Sequence, residues 1–228
     1  DGGGGHDELM GMYPFPLPFF TQGETLIPVD AGGRALGNAI VWLDTRAEAE
    51  AGIVSREAGA DELYRRTGCP PIFQYPVNRL HHLATTQPDI TRRVAHVLDS
   101  KAFLMHLLTG EYFTDYSTAN SLGCLDIDGQ WDESIIEASG FAVAHFPRVL
   151  DGFKDKVRLL PSVCREIGLR EGTCIAAGLY DGAALAASMT AFEPGIGVGN
   201  FGTSGMFRVP TPAPVEDLEG GLIQSCLL

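Results

Sequence analysis

Two apolar runs, Leu26–Val29 and Ala39–Leu43, flank the glycine-bearing polar stretch DAGGR, and this pattern predicts a β-hairpin. The following segment, TRAEAEAGIVSREAG, is rich in Ala, Glu and Arg and predicts a helix capped near Asp44 or Thr45. A short helix over DELYRRTG should stop at Gly68, and CPPIFQYP should form a loop. From Val77 to about Gly110 the spacing of Val77, Leu80 and Leu83 and of the later apolar positions predicts helix, with a break near Asp99-Ser100. DYSTANSLGCLDIDGQWDESIIEASG predicts a polar turn, a short strand-like piece and a helix capped by Asp132. DKVRLLPSVCREIGLREGTCIAAGLYDG predicts a strand, a short helix, a turn and a buried strand. A helix of small residues should follow Asp181, and GIGVGNFGTSGMFRVP a glycine-rich hairpin. Strands and hairpins bracketing a long helical stretch make the chain α/β or α+β.

The 228 residues carry a formal net charge of −13, which disfavours general nucleic-acid or anionic-membrane binding. Mean hydropathy is close to zero, and no apolar run approaches the ~20 residues of a membrane-spanning helix. The five cysteines (Cys69, Cys124, Cys164, Cys174 and Cys226) are odd in number and widely spaced without C-x-x-C, so neither a zinc site nor a disulfide framework is expected. The start, DGGGGHDELMGMYPFPLPFF, carries no secretory pattern and reads as an irregular segment.

Four stretches could carry chemistry. Asp181 follows a buried strand, where α/β proteins bind ligands, although an acid there also caps the next helix. Gly202, Thr203 and Ser204 can aim N–H groups and hydroxyls at a phosphate, and a plain hairpin turn uses the same residue types. Gln22 and Glu24, beside a strand, could bind sugar hydroxyls or simply mark an exposed strand start. Asp44 and Arg46 in WLDTR lie at a strand-to-helix junction, as a ligand pair or a surface ion pair. The histidines are dispersed; the adjacent His81 and His82 would point about 100° apart on a helix, unlike an i,i+4 metal pair.

Taken in order, QGETLIPVDAGGRALGNAIVWLDTRAEAEA, LTGEYFTDYSTANSLGCLDIDGQWDESII, GLYDGAALAA and GTSGMF resemble the FGGY family of carbohydrate kinases, over about residues 21–210. The resemblance implies an α/β fold: an RNase-H-like (actin-like ATPase) domain with a helical insertion, truncated at both ends. Residues 1–20 would be an irregular N-terminal segment, 21–193 a partial sugar-binding domain, and 194–228 the start of a C-terminal nucleotide-binding domain. It implies ATP-dependent phosphorylation of a small sugar, sugar acid or polyol, with Asp181 as general base. Gln22, Glu24, Asp44 and Arg46 would line the sugar pocket, and Gly202, Thr203 and Ser204 would bind phosphate. ATP and Mg2+ follow as cofactors and a small sugar or polyol as the partner molecule. Neither nucleic acid nor membrane is expected; a cytoplasmic location is, and a homodimer is compatible.

Gly23 stands where glycerol kinases have the arginine of Q-R-E-T, which argues against glycerol as substrate. The family's opening D-x-G-T-T phosphate loop has no counterpart, since DGGGG lacks the threonines and a preceding strand, and most of the adenine-binding domain is missing. The chain as it stands is therefore expected not to turn over ATP. The alternatives are a non-catalytic sugar-binding or regulatory homologue lacking a complete ATP site, and a structural α/β domain in which Asp181 only caps a helix.

Overall fold

The computed structural model describes residues 16–70, 72–189, 195–202, 205–217, 219 and 222–224. In chain order the elements are β1 (Leu17–Thr21), β2 (Ile27–Val29), α1 (Ala51–Ala58), α2 (Ala60–Thr67), α3 (Pro76–Thr86), α4 (Pro88–Thr91), β3 (His96–Leu98), α5 (Ser100–Thr109), β4 (Phe113–Asp115), α6 (Tyr116–Asn120), α7 (Glu133–Ala138), β5 (Arg148–Leu150), β6 (Val157–Arg158), α8 (Pro161–Ile167), β7 (Cys174–Tyr180), α9 (Asp181–Ser188), β8 (Val198–Phe201) and β9 (Gly205–Arg208). The sheet that positions the site has the order β1-β7-β6, with β1 parallel and β6 antiparallel to β7. β7 is buried over five consecutive residues, which is why CIAAGLY reads as an unbroken apolar run.

Of the packed clusters among the described residues, two concern the site most. The larger one joins Leu26 and Ile40 to Leu80, Leu83, Ile135 and Ile136 beneath the helical insertion. The other packs α5 and β4 on the sheet through Met105, Phe113, Ile175 and Ala177. Fully burying side chains of this size stabilises a fold by about 1.5–3 kcal/mol each.

Several local signals act as expected. Gly68 and Gly110 end α2 and α5 with φ of 67° and 80°, each donating its N–H four residues back. Asp132 caps α7 by accepting the Ile135 N–H at 3.0 Å. The DAGGR turn forms around Asp30, whose Oδ1 accepts the N–H groups of Gly32 and Arg34. The return limb of that hairpin, however, is not a strand. Ile40 makes a single bridge to Leu26, and β2 pairs instead with β3.

Four other expectations change. Residues 17–20, read as part of an irregular start, belong to β1. The helix expected from Asp44 or Thr45 begins only at Ala51, after Glu50, which makes no side-chain cap; Asp44 instead binds the Arg46 guanidinium. The stretch expected to be helical from Val77 to Gly110 contains β3, whose short apolar run has no period of its own and becomes a strand by pairing with β2. The polar turn DYSTAN contains α6, capped by Asp115 through the N–H groups of Ser117 and Thr118.

Asp99, which caps α5 through the Ala102 N–H at 2.8 Å, is wholly buried. Burial pushes its carboxyl up to about 6; the Ala102 N–H, the Thr114 hydroxyl and the Lys101 charge oppose this. Because the folded value lies above the unfolded one, the stabilisation is complete below about pH 4 and is lost as pH rises through about 6. Asp99→Asn keeps a capping oxygen and removes the titration, so melting temperatures measured from pH 4 to 7 should lose this slope, worth about 3 kcal/mol.

Candidate active site

The site forms where two parallel strands end side by side. β1 and β7 pair Pro18 with Ala176 but Phe20 with Leu179, so β7 carries one extra residue between these points. The bulge is made by Gly178, at φ 69°, whose N–H donates to the Gly152 carbonyl at 2.8 Å. A Cβ at 178 would lie 2.1 Å from the Phe19 carbonyl oxygen, so only glycine lets these backbones meet. Beyond it, Thr21 pairs with Tyr180, and the chain continues into Gln22–Glu24 on one side and Asp181 on the other. This is the carboxyl edge of the parallel strands, where α/β proteins bind ligands.

Glu24 is the only non-glycine residue with positive φ among the described residues, at 50°. Such a conformation is costly and persists only where surrounding contacts impose it. Its N–H donates to Ser121 Oγ at 3.0 Å, and its carbonyl accepts Arg79 Nη1 at 2.8 Å. Arg79 is fully buried and also donates from Nη2 to the Trp42 carbonyl at 2.9 Å, tying WLDTR to Glu24. The Glu24 carboxylate has no hydrogen bond or ion pair among the described residues. Burial raises its pKa, the charge of Asp181 raises it further, and Arg79 and Arg208 oppose the rise.

Asp181 is exposed at the first position of α9, and its Oδ1 accepts the Gly182 N–H at 2.7 Å. Tyr180 holds the cap position without a side-chain bond. The acid therefore suits the helix N-terminus while its other oxygen stays available. Gln22 is exposed at the same edge, and its carbonyl accepts Ser100 Oγ at 2.8 Å. Asp44 and Arg46 form a two-point ion pair at 2.7 and 2.8 Å, which lowers the Asp44 pKa.

The β8–β9 hairpin forms as expected, and Gly202 at its turn is exposed with nothing within 4 Å of its Cβ position. Thr203 and Ser204 lie outside the described residues. Arg208, on β9, donates to Asn200 Oδ1 at 2.7 Å, and a Cβ on Gly182 would lie 2.4 Å from its Nη2. Its guanidinium thus rests on the backbone next to Asp181. Asp181, Glu24 and Gln22 are brought together at one edge; Arg79 ties Trp42, two residues before Asp44, to Glu24 but bonds neither Asp44 nor Arg46; Gly202 sits on the hairpin that Arg208 anchors.

Sequence reasoning missed Arg79, Arg208, Ser117 of α6 and Ser121 at its C-cap. Ser117 Oγ accepts the Tyr180 N–H at 3.1 Å, as Ser121 Oγ does that of Glu24. A charged residue beside the apolar face of α3 was the available signal for Arg79. The described cysteines are free, and among the described residues no helix is long and apolar enough to cross a membrane.

The arrangement is that of a sugar-kinase fold. The structure superposes on a xylulose kinase from Lactobacillus acidophilus with a TM-score of 0.86 (20% identity, 96% of this chain, 46% of that one). A gluconate kinase from the same organism gives 0.84 (21% identity, 93% and 44%). These are proteins of the actin-like ATPase fold. Residues 17–187 match the model of the FGGY family of carbohydrate kinases, N-terminal domain, and the chain belongs to that family. Among curated relatives, the gluconokinase of Bacillus subtilis (strain 168) is 24% identical over 205 residues, 90% of this chain and 40% of that protein. A rhamnulokinase of Yersinia pestis is 26% identical over 127 residues, 55% of this chain and 26% of that protein. The chain thus spans less than half the length of the curated relatives it matches.

Proposed function

We propose that this chain supplies the sugar-binding half of an ATP-dependent carbohydrate kinase acting on a small sugar or sugar acid. The observation that carries the reading is Glu24, held at φ 50° from both sides with its carboxylate unpaired among the described residues, near Asp181 at the carboxyl edge of β1 and β7. Glu24 and Gln22 accept or donate hydrogen bonds to sugar hydroxyls. Asp181 accepts a hydrogen bond from the reacting hydroxyl and takes its proton as the oxygen attacks the γ-phosphorus. The new P–O bond forms as the bond to the β,γ-bridging oxygen breaks, and ADP leaves. The Asp44–Arg46 pair, in the segment that Arg79 ties to Glu24 at Trp42, supports the pocket wall.

Open space at Gly202 suits a phosphate approaching the backbone, with Thr203 and Ser204 as the neighbouring donors. No group of three or more metal-ligating side chains converges among the described residues. Mg2+ would arrive on the ATP phosphates, where such ions keep several waters, and would supply charge neutralisation.

The gluconokinase, rhamnulokinase and xylulose kinase relatives define the test. In thermal-shift titrations, gluconate, D-xylulose or L-rhamnulose should raise the melting temperature without ATP, and Glu24→Ala should remove the shift. Glycerol should have no effect: a Cβ at Gly23 would meet Ser121 Oγ at 3.2 Å and the Tyr180 ring at 3.3 Å, so the long side chain of Q-R-E-T has no ready place. A sugar-induced shift in a whole gene product that never hydrolyses ATP would favour the non-catalytic homologue. No shift with any sugar would count against both.

A further inference from the structure

We propose that α6 and its C-cap are the positioning element of the site, with Ser117 setting the place of Asp181 and the C-cap Ser121 that of Glu24. The inference rests on the roles assigned to those two acids above.

The two serines are four residues apart, on one side of the helical turn, where i and i+4 positions are neighbours. Each uses its hydroxyl proton locally, within α6 and its two caps. Ser117 Oγ donates to the Asp115 carboxylate at 2.5 Å, and Ser121 Oγ donates to the Thr118 carbonyl at 2.7 Å. Carboxylates and carbonyls only accept, so the direction of both bonds is fixed. Each serine oxygen is therefore left as an acceptor facing outward from the helix. One receives the N–H of Tyr180, the residue before Asp181. The other receives the N–H of Glu24 itself. The same side of α6 thus grips the chain beyond β1 and the end of β7.

The helix is in turn anchored on a buried charge. Asp115 accepts from Ser117 N at 2.9 Å, Thr118 N at 3.2 Å, Thr118 Oγ1 at 2.5 Å and Lys101 Nζ at 2.5 Å, in addition to Ser117 Oγ. Both members of the ion pair are essentially inaccessible. With so many bonds converging on one carboxylate, α6 cannot shift without breaking several of them. The base and the sugar ligand consequently share one rigid reference, although they lie about 157 residues apart in sequence (181 minus 24). Alignment of this kind governs how much of a reaction barrier is removed, and a misplacement near 1 Å costs about 10²-fold.

The arrangement predicts a division of kinetic effects. In the whole gene product carrying this chain, ADP release is followed with Mg-ATP and gluconate, D-xylulose or L-rhamnulose. Ser117→Ala should lower kcat about 10- to 100-fold with the sugar KM nearly unchanged, because Asp181 alone loses its reference. Ser117→Thr, which keeps the hydroxyl, should restore most of it. Ser121→Ala should raise the sugar KM about 10-fold with little change in kcat, because Glu24 loses its support. Ser121→Ala decides the question alone if Ser117→Ala does not fold. Wild-type kcat and KM in soluble variants, or equal loss of both parameters in each, would overturn the proposal. Turnover by Asp181→Asn, or a wild type inactive on all three sugars, would instead overturn the underlying reading, and the positioning role with it.

Discussion

Replacing Asp181 with asparagine is expected to lower kcat by about 10²- to 10⁴-fold, the range for loss of a general base, while sugar affinity survives. The separation follows from where the residue sits. Its carboxylate is exposed, and one oxygen already accepts the Gly182 N–H at 2.7 Å. The amide oxygen of asparagine can keep that bond, so the start of α9 and the melting temperature should be retained. What asparagine cannot do is take a proton from an attacking hydroxyl. The substitution has a second, independent readout. The charge of Asp181 is one of the two causes that raise the Glu24 pKa, the larger being burial. Asp181→Asn should therefore move the Glu24 titration downward, measurable by NMR of the labelled side chain. Normal turnover would refute the assigned base. An unshifted Glu24 would show that the two acids do not sense each other.

Lys101→Met is expected to destabilise the fold by about 3–5 kcal/mol, the usual consequence of leaving one partner of a buried ion pair alone. Lys101 is wholly inaccessible, and its ammonium lies 2.5 Å from Asp115 Oδ2. Burial lowers the Lys101 pKa while Asp115 and Asp99 oppose that effect. Methionine matches the side chain in length but leaves the Asp115 charge facing a hydrophobic neighbour. Against a total stability of about 5–15 kcal/mol for a domain, the loss should be obvious in urea midpoints. Asp115→Asn in the Lys101→Met background should recover part of it, because the neutral amide removes the stranded charge. A midpoint unchanged by Lys101→Met would mean that the pair does not hold α6.

Much of this was readable in the chain because the responsible interactions are local. Gly68 and Gly110 stop helices through their own backbone freedom, and Asp132 caps α7 through a residue three positions away. The apolar run of β7 and the acid after it mark a buried strand and its ligand edge without reference to anything distant. The ordered motifs pointed to the carbohydrate kinases, and the family match over residues 17–187 agrees.

What stayed hidden depends on partners remote in sequence. β3 is a strand because β2 is there to pair with it, and three apolar residues have no period that announces this. The positive φ of Glu24 exists because Ser121 and Arg79 pull on its two peptide groups from 97 and 55 residues away. Ser117 and Ser121 looked like turn residues, and only the folded chain reveals which N–H groups they receive. Arg79 drew no reading at all, because a lone cation in a helical stretch is ordinarily solvated, yet it is buried and bonds two backbone carbonyls.

The bulge at Gly178 has a meaning beyond close packing. Side chains along a strand alternate between faces with a period of two, so one additional residue acts as a half-step of phase. Everything C-terminal to it is transferred to the opposite side relative to an uninterrupted β7. Asp181 and Glu24 both lie just beyond that half-step, past the ends of β7 and β1. The absence of a side chain at position 178, which lets the β1 and β7 backbones meet, thus permits the change of phase that precedes the acid.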